Sequence, residues 1–392
     1  MKAPASPLAF YLATRAVIWI AAAFALLTFD SLTRVVGADE QPWIADVGWF
    51  VDMWSRWDGS WFVGIARDGY VEPEYSAAFF PLYPMLVRGL GTLLGDHYVL
   101  AGVLVSLAVG AAAVVVLHRL ATQILGADVA DRTVLYLSLF PMSIFLLAVY
   151  SEALYLLLAA ATFLLALRGR FLAAGLVAGL ALLTRSSAVA LLPALALLAW
   201  QVRDGRGRAL ASVAVAGLVG ALWPLWLWIE HGDPLLSARA QSSEQWNRDL
   251  SPAGPLGGIW QGLEAGWTSL RQLLEGGESW SYATDTSPVY VAFNLEQLAY
   301  AALFIGLAVV VWRRVGPAFG IFVAVSLALP LSAPPPEYPL LSLPRFGLGI
   351  FPIFLALAVL GERPRAHRTI VWVSALLLGL TIARWSAGLF VA

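Results

Sequence analysis

About 11 apolar runs, each roughly 17–22 residues, recur along this chain, and such runs fold as helices that cross a lipid bilayer. They lie near 8–29, 98–118, 133–150, 153–168, 171–184, 187–202, 209–229, 290–312, 317–332, 347–361 and 369–390. The charged fraction, 12%, is half the roughly 25% typical of soluble domains. With 60% hydrophobic residues and a mean hydropathy of +0.77, the chain reads as an all-α polytopic membrane protein, one domain over 1–392. Ala21-Ala22-Ala23 offers a small-residue cleavage site. However, only Lys2 precedes the first run and the run is long, so it reads as an uncleaved anchor.

Charge sets the expected orientation. With the N-terminus in the cytoplasm, the inner side holds Lys2, Arg15, Arg119, Arg132, Arg168, Arg170, Arg203, Arg206, Arg208, Arg313, Arg314, Arg363, Arg365 and Arg368. Four acids join them there, Asp128, Asp131, Asp204 and Glu362. The sums are +10 inside and −11 outside, so the net charge of −1 conceals a strong asymmetry of the positive-inside kind. The bias of 23 Arg against one Lys suggests a high-GC bacterial genome.

Two long loops, 30–97 and 230–289, fall outside in this topology. The second is rich in Trp (Trp246, Trp260, Trp267, Trp280) and reads as carrying short interfacial helices. The first contains Trp54, Trp57, Asp58, Trp61, Phe62 and Ile65, which share one face at helical spacing. Asp52, Arg56, Ser60, Val63 and Arg67 share the other face. A helix so patterned is expected along the bilayer surface, aromatic side down. Asp58 breaks the pattern, because an anion on a buried face is costly unless something uses it. It is the candidate catalytic residue. The bland alternative is a surface carboxylate paired with Arg56 or Arg67.

Other residues could bind substrate. Arg56, Trp57, Trp61, Tyr70, Glu72 and Phe80 surround Asp58 in sequence, and Pro81 and Pro84 turn the chain back toward an interfacial helix near 85–95. Glu152 sits in a short outer turn. Arg185 and Arg345 are cations on the side where the charge rule disfavours them, and a guanidinium can grip a phosphate through two parallel hydrogen bonds. An ion pair with an outer acid is the plain alternative for both arginines.

Several chemistries find no support. The absence of Cys removes disulfides, thiolate metal sites and a cysteine nucleophile. The four His are scattered singly, so no metal ligand set is expected. No glycine-rich nucleotide loop is present, and nothing points to a nucleic-acid partner.

The run RWDGSWFVGIARDGYVEPEYSAAFFPLYPMLVR resembles the WD-containing first lumenal loop of the PIG-V-like mannosyltransferases. The resemblance continues through PMSIFLLAVYSEALYLLL, GLALLTRSSAVALLPAL and SLPRFGLGIFPIFLAL. It implies a bundle of the GT-C type with the active site on the extracytoplasmic face of the cell membrane. It also implies inverting transfer of mannose from a polyprenyl-phosphate donor to a lipid or glycan acceptor. Asp58 would then be the base, and Arg185 or Arg345 would hold the leaving phosphate. No cofactor is expected, and a divalent metal is not obligatory because no nucleotide leaves; a small membrane partner is an open expectation. Nothing in the residues reads the sugar's 2-hydroxyl, so mannose rests on the resemblance. The competing class is a secondary transporter or lipid flippase, disfavoured because ionisable residues gather at outer ends rather than mid-span.

Overall fold

The structure, a computed structural model, describes residues 6–35, 43–275 and 288–391. Among these, every regular element is a helix. The chain opens with α1 (Pro7–Val35), then builds the first long loop from α2 (Trp49–Asp52), α3 (Asp58–Asp68), α4 (Pro73–Ser76) and α5 (Leu82–Leu93). The bundle continues with α6 (Tyr98–Leu125), α7 (Ala127–Leu139), α8 (Glu152–Leu167), α9 (Phe171–Leu182), α10 (Leu191–Trp200), α11 (Arg206–Gly220) and α12 (Leu222–His231). The second long loop contributes α13 (Leu236–Gln241) and α14 (Pro255–Glu275). The last part comprises α15 (Pro288–Arg314), α16 (Pro317–Leu331), α17 (Leu343–Phe346), α18 (Pro352–Leu360) and α19 (Pro364–Ser386).

Each apolar run carries helix, but among the described residues fewer than 11 helices are by themselves long and apolar enough to cross a membrane. Five stretches are long and apolar enough to span: Pro7–Thr28, Tyr98–Leu125, Arg206–His231, Ala292–Arg314 and Pro364–Ser386. Leu343–Gly349 and Pro352–Leu360 form a pair bent by 90°. Four further apolar helices are shorter, Glu152–Leu167, Phe171–Leu182, Ser186–Trp200 and Pro317–Leu331. The shortness has a local cause. Regular helix gives way to 3₁₀ turns at Pro141–Leu146, Ser186–Ala190 and Gly347–Gly349, in connections that alternation of direction places at one end of the bundle. Irregular backbone at such depth is tolerable only where protein buries it, and Pro141–Leu146 is fully buried. Arg15 serves that need. Grouped by sequence with the inner cations, it is instead buried in the bundle, donating to the carbonyls of Ser138 (2.8 Å) and Ser143 beside the break after α7.

The aromatic helix of the first loop begins four residues later than the spacing predicts. Trp57 has φ +51°, outside helical space, so Trp54 and Trp57 precede α3 rather than line it. The reason is tertiary. Both rings clasp Trp385 of α19, Trp54 stacked at 5.7 Å and Trp57 edge-on at 4.8 Å. Asp52 and Arg56, expected on a polar outer face, are buried. The re-entry helix α5 starts at Leu82, slightly ahead of its predicted start. The second loop holds one helix of 21 residues, α14, rather than short ones only. Its glycines face the bundle; a Cβ at Gly258 would collide with the Leu331 carbonyl. Trp260 and Trp267 face outward from it, and Trp280 lies outside the described residues.

Candidate active site

Asp58 is presented by a loop fastened at several points. The Asp52 carboxylate accepts the backbone N–H groups of Asp46 (2.9 Å), Val47 (3.1 Å) and Gly48 (2.9 Å). Asp46 in turn accepts the Val99 N–H at 2.7 Å, which ties the loop to the start of α6. The Trp54 carbonyl accepts the Val149 N–H at 3.0 Å, the Tyr150 hydroxyl donates to the Arg56 carbonyl at 2.9 Å, and Trp385 Nε1 donates to the Met53 carbonyl at 3.1 Å. Asp58 then opens α3, where the helix dipole favours a carboxylate.

Across from it stands Arg345, on α17. Its Nη1 lies 2.6 Å from Asp58 Oδ2 and its Nε 3.5 Å from Glu152 Oε1. Nη2 donates to the Ser342 hydroxyl at 3.3 Å. The Arg345 side chain is 8% exposed and that of Asp58 23%, so the pair is open on the Asp58 side. The guanidinium packs near the rings of Tyr150 (5.4 Å), Phe145 (5.5 Å) and Phe346 (5.5 Å). Glu152, the first residue of α8, is buried. Its Oε1 pairs with Arg185 Nη1 at 2.5 Å, and its Oε2 has no hydrogen-bond partner among the described residues. Arg185, just past α9, also lies over Phe346, at 5.2 Å. Glu152 is therefore a buried hub between two guanidiniums.

One member of the cluster was not singled out from sequence. Arg248, between α13 and α14, donates Nη2 to the Leu341 carbonyl at 3.1 Å and lies 5.7 Å from the Phe346 ring. Burial, then repulsion from Arg345, pushes its guanidinium down to about 10, with attraction to Asp58 opposing and Arg185 adding to the repulsion. The signal that could have found it is the one that found Arg185 and Arg345, a cation on the acid-rich side.

The remaining candidates frame the cluster. The Arg56 guanidinium lies over the Trp43 ring at 4.6 Å. Trp57 packs on Trp385 and Phe390, and Trp61 stacks on Phe79 at 5.8 Å with Trp246 edge-on. Tyr70 donates to the Phe79 carbonyl and packs on Trp223 and Trp226; burial raises its hydroxyl well above the usual tyrosine range. Phe80 joins the same tryptophans through Trp223. Glu72 caps α4 through its backbone, and among the described residues its carboxylate joins no ion pair. Arg67 pairs with its neighbour Asp68 rather than with Asp58.

Chemically, the cluster sets two carboxylates against three guanidiniums. It offers a part-exposed carboxylate and a surplus of fixed positive charge, and so suits removal of a proton beside an anionic group.

Part of this cluster lies in a stretch that resembles known proteins. The sequence model of the mannosyltransferase (PIG-V) family matches residues 42–201. GPI alpha-1,6-mannosyltransferase 2 of Cricetulus griseus is 37% identical over 146 residues, which span 34% of this chain and 29% of that protein. The Mus musculus protein of the same name is 36% identical over 143 residues with the same coverage. The chain therefore matches less than a third of the length of these relatives. Among solved structures, the apo oligosaccharyltransferase of Archaeoglobus fulgidus aligns at TM-score 0.47 and 13% identity, over 96% of this chain and 56% of that one. The same protein in complex with an inhibitory peptide and a dolichol-phosphate aligns at TM-score 0.43 and 13% identity, over 97% and 55%. Asp58, Glu152 and Arg185 lie inside the family match and Arg248 and Arg345 beyond it; over residues 42–201 the chain is similar to the PIG-V mannosyltransferases.

Proposed function

We propose that this chain is a membrane glycosyltransferase of GT-C type that moves mannose from a polyprenyl-phosphate donor to a hydroxyl of a lipid or glycan acceptor. The observation that carries the reading is the Asp58–Arg345 pair at 2.6 Å, joined through Glu152 to Arg185, at one end of an apolar helix bundle.

The chemistry follows from those charges. Asp58 takes the acceptor's hydroxyl proton while the acceptor oxygen bonds to the sugar's anomeric carbon. The bond from that carbon to the phosphate oxygen breaks, its electron pair leaves with the lipid phosphate, and the configuration inverts. Base catalysis of this kind contributes about 10²–10⁴-fold. The departing phosphate gains charge as Asp58 loses it, so Arg345 is freed from one partner as the other develops. Fixed cations aimed at developing charge need no reorganisation during the step. No divalent ion is required by this reading, since the arginines supply the charge that would otherwise call for one.

The distribution of arginines supports a cytoplasmic N-terminus and an extracytoplasmic site. Arg168, Arg170, Arg203, Arg313, Arg314 and Arg363 fall in or beside turns at the bundle end away from Asp58, as alternation of helix direction requires.

The test is transfer from radiolabelled polyprenyl-phosphate-mannose by membranes carrying the chain, beside membranes without it. Label reaching a new lipid or glycan product supports the reading. Transfer from a nucleotide-mannose in the absence of any lipid-linked donor would contradict it.

A further inference from the structure

Arg248 is the guanidinium of the cluster that feels a carboxylate, Asp58, only at longer range. Arg345 pairs with Asp58 and Glu152, and Arg185 with Glu152. Among the described residues, Arg248 joins no ion pair. Yet all three guanidiniums converge on one ring, that of Phe346, at 5.2, 5.5 and 5.7 Å. Asp58 and Glu152 offset two of the three charges, so the cluster keeps a surplus positive charge that a further anion would neutralise.

The position of Arg248 is also built rather than incidental. Its backbone N–H donates to the Gln241 carbonyl at 2.9 Å, and Ser251 N–H to the Ser332 carbonyl at 2.8 Å. Trp246 Nε1 donates to the Tyr75 carbonyl at 3.3 Å. Asn247, immediately before it, has φ +47°, in the left-handed region. Trp57 before Asp58 (φ +51°) and Ser342, the hydroxyl partner of Arg345 (φ +67°), share that region. Among the described residues, three of the four non-glycine positive-φ positions thus adjoin charged groups of one cluster, where such conformations tend to gather.

We propose that Arg248 is a phosphate-binding residue, completing with Arg185 and Arg345 a three-guanidinium cradle for the phosphate of a lipid-linked substrate. The lipid carrier rests on the reading above; the phosphate chemistry rests on the cluster. Guanidiniums hold phosphate oxygens through paired, charge-assisted hydrogen bonds.

The experiment measures binding of undecaprenyl phosphate, polyprenol and inorganic phosphate to the purified full-length chain in detergent. Wild type is compared with Arg248→Gln and Arg248→Lys. The wild type binds undecaprenyl phosphate well above polyprenol, Arg248→Gln weakens that binding by about 10- to 100-fold, and Arg248→Lys loses less. Arg248→Gln binding undecaprenyl phosphate as tightly as wild type overturns the proposal, as does a wild type that prefers polyprenol. Equal wild-type affinity for inorganic phosphate overturns the lipid-linked part. Should Arg248→Gln not fold, the wild type alone decides. Phenylglyoxal modification of Arg248, followed by peptide mass spectrometry, is slowed by undecaprenyl phosphate and not by polyprenol; an unchanged rate overturns the cradle. Mannose transfer separates the two readings. A wild type that binds lipid phosphate through Arg248 but transfers nothing keeps the cradle and removes the transferase. A wild type that transfers, with an unaltered donor KM in Arg248→Gln, does the reverse.

Discussion

Asp58 Oδ2 and Arg345 Nη1 lie 2.6 Å apart, although 287 positions separate the residues in the chain. The contact joins the first long loop to the broken span near the C-terminus. It makes the proposed base and the proposed phosphate ligand partners of each other, so each should report on the other when changed.

Arg345→Gln removes the charge that meets the leaving phosphate. Donor KM should rise and kcat fall, with a combined loss in kcat/KM of about 10²–10³-fold, the scale seen when a charge-stabilising donor is deleted. Arg345→Lys should recover little of it, because a point charge cannot span Asp58 and Glu152 as the guanidinium fork does. Steady-state kinetics with varied donor checks this. Wild-type kinetics for Arg345→Gln would remove Arg345 from the site.

Glu152→Gln strips the buried carboxylate from between two guanidiniums. Breaking a buried pair by removing one partner costs about 3–5 kcal/mol, since the remaining charges stay buried. The thermal midpoint in detergent should fall clearly. Adding Arg185→Gln should recover part of the loss, because one of the stranded cations is then gone. A double variant no more stable than Glu152→Gln would show that Arg185 is not the partner that matters.

Trp385→Ala removes the ring that Trp54 and Trp57 clasp and the donor to the Met53 carbonyl. Loss of a buried Trp costs about 3–5 kcal/mol, and here the cavity opens beneath the segment that delivers Asp58. Stability and transfer should both drop. Trp372→Ala on the same helix, at a residue 74% exposed, should leave transfer unchanged. Equal effects of the two would detach Asp58 from the α19 clasp.

The lack of native cysteine allows the topology to be read directly. Glu244→Cys and Asp204→Cys place single thiols at exposed residues of connections that the proposed topology puts on opposite faces. A membrane-impermeant maleimide applied to intact cells should label Glu244→Cys and spare Asp204→Cys. The opposite pattern would invert the orientation.

The helical class and the ionic cluster were largely legible in the sequence, for different reasons. Apolar runs of this length announce helices because only a helix satisfies its backbone hydrogen bonds in lipid within a single segment. Glu152, Arg185 and Arg345 stood out as charges at outer ends, and the structure links all three in one cluster that reaches Asp58 through Arg345. Their pairing was not legible, since helical spacing says nothing about contacts across hundreds of positions. The same limit explains the misplaced start of α3. Trp54 and Trp57 fit a helical face by spacing, but their rings are held by Trp385, and a distant ring outweighed local periodicity. Arg248 escaped notice because its loop lacks the apolar flanks that framed Arg185.

The most direct test compares purified wild type with Asp58→Asn in mannose transfer from polyprenyl-phosphate-mannose, measuring donor binding alongside. The amide keeps the shape of the carboxylate and cannot take a proton. The account predicts that transfer falls by about 10²–10⁴-fold while lipid-phosphate binding persists. Transfer by Asp58→Asn at the wild-type rate would contradict it.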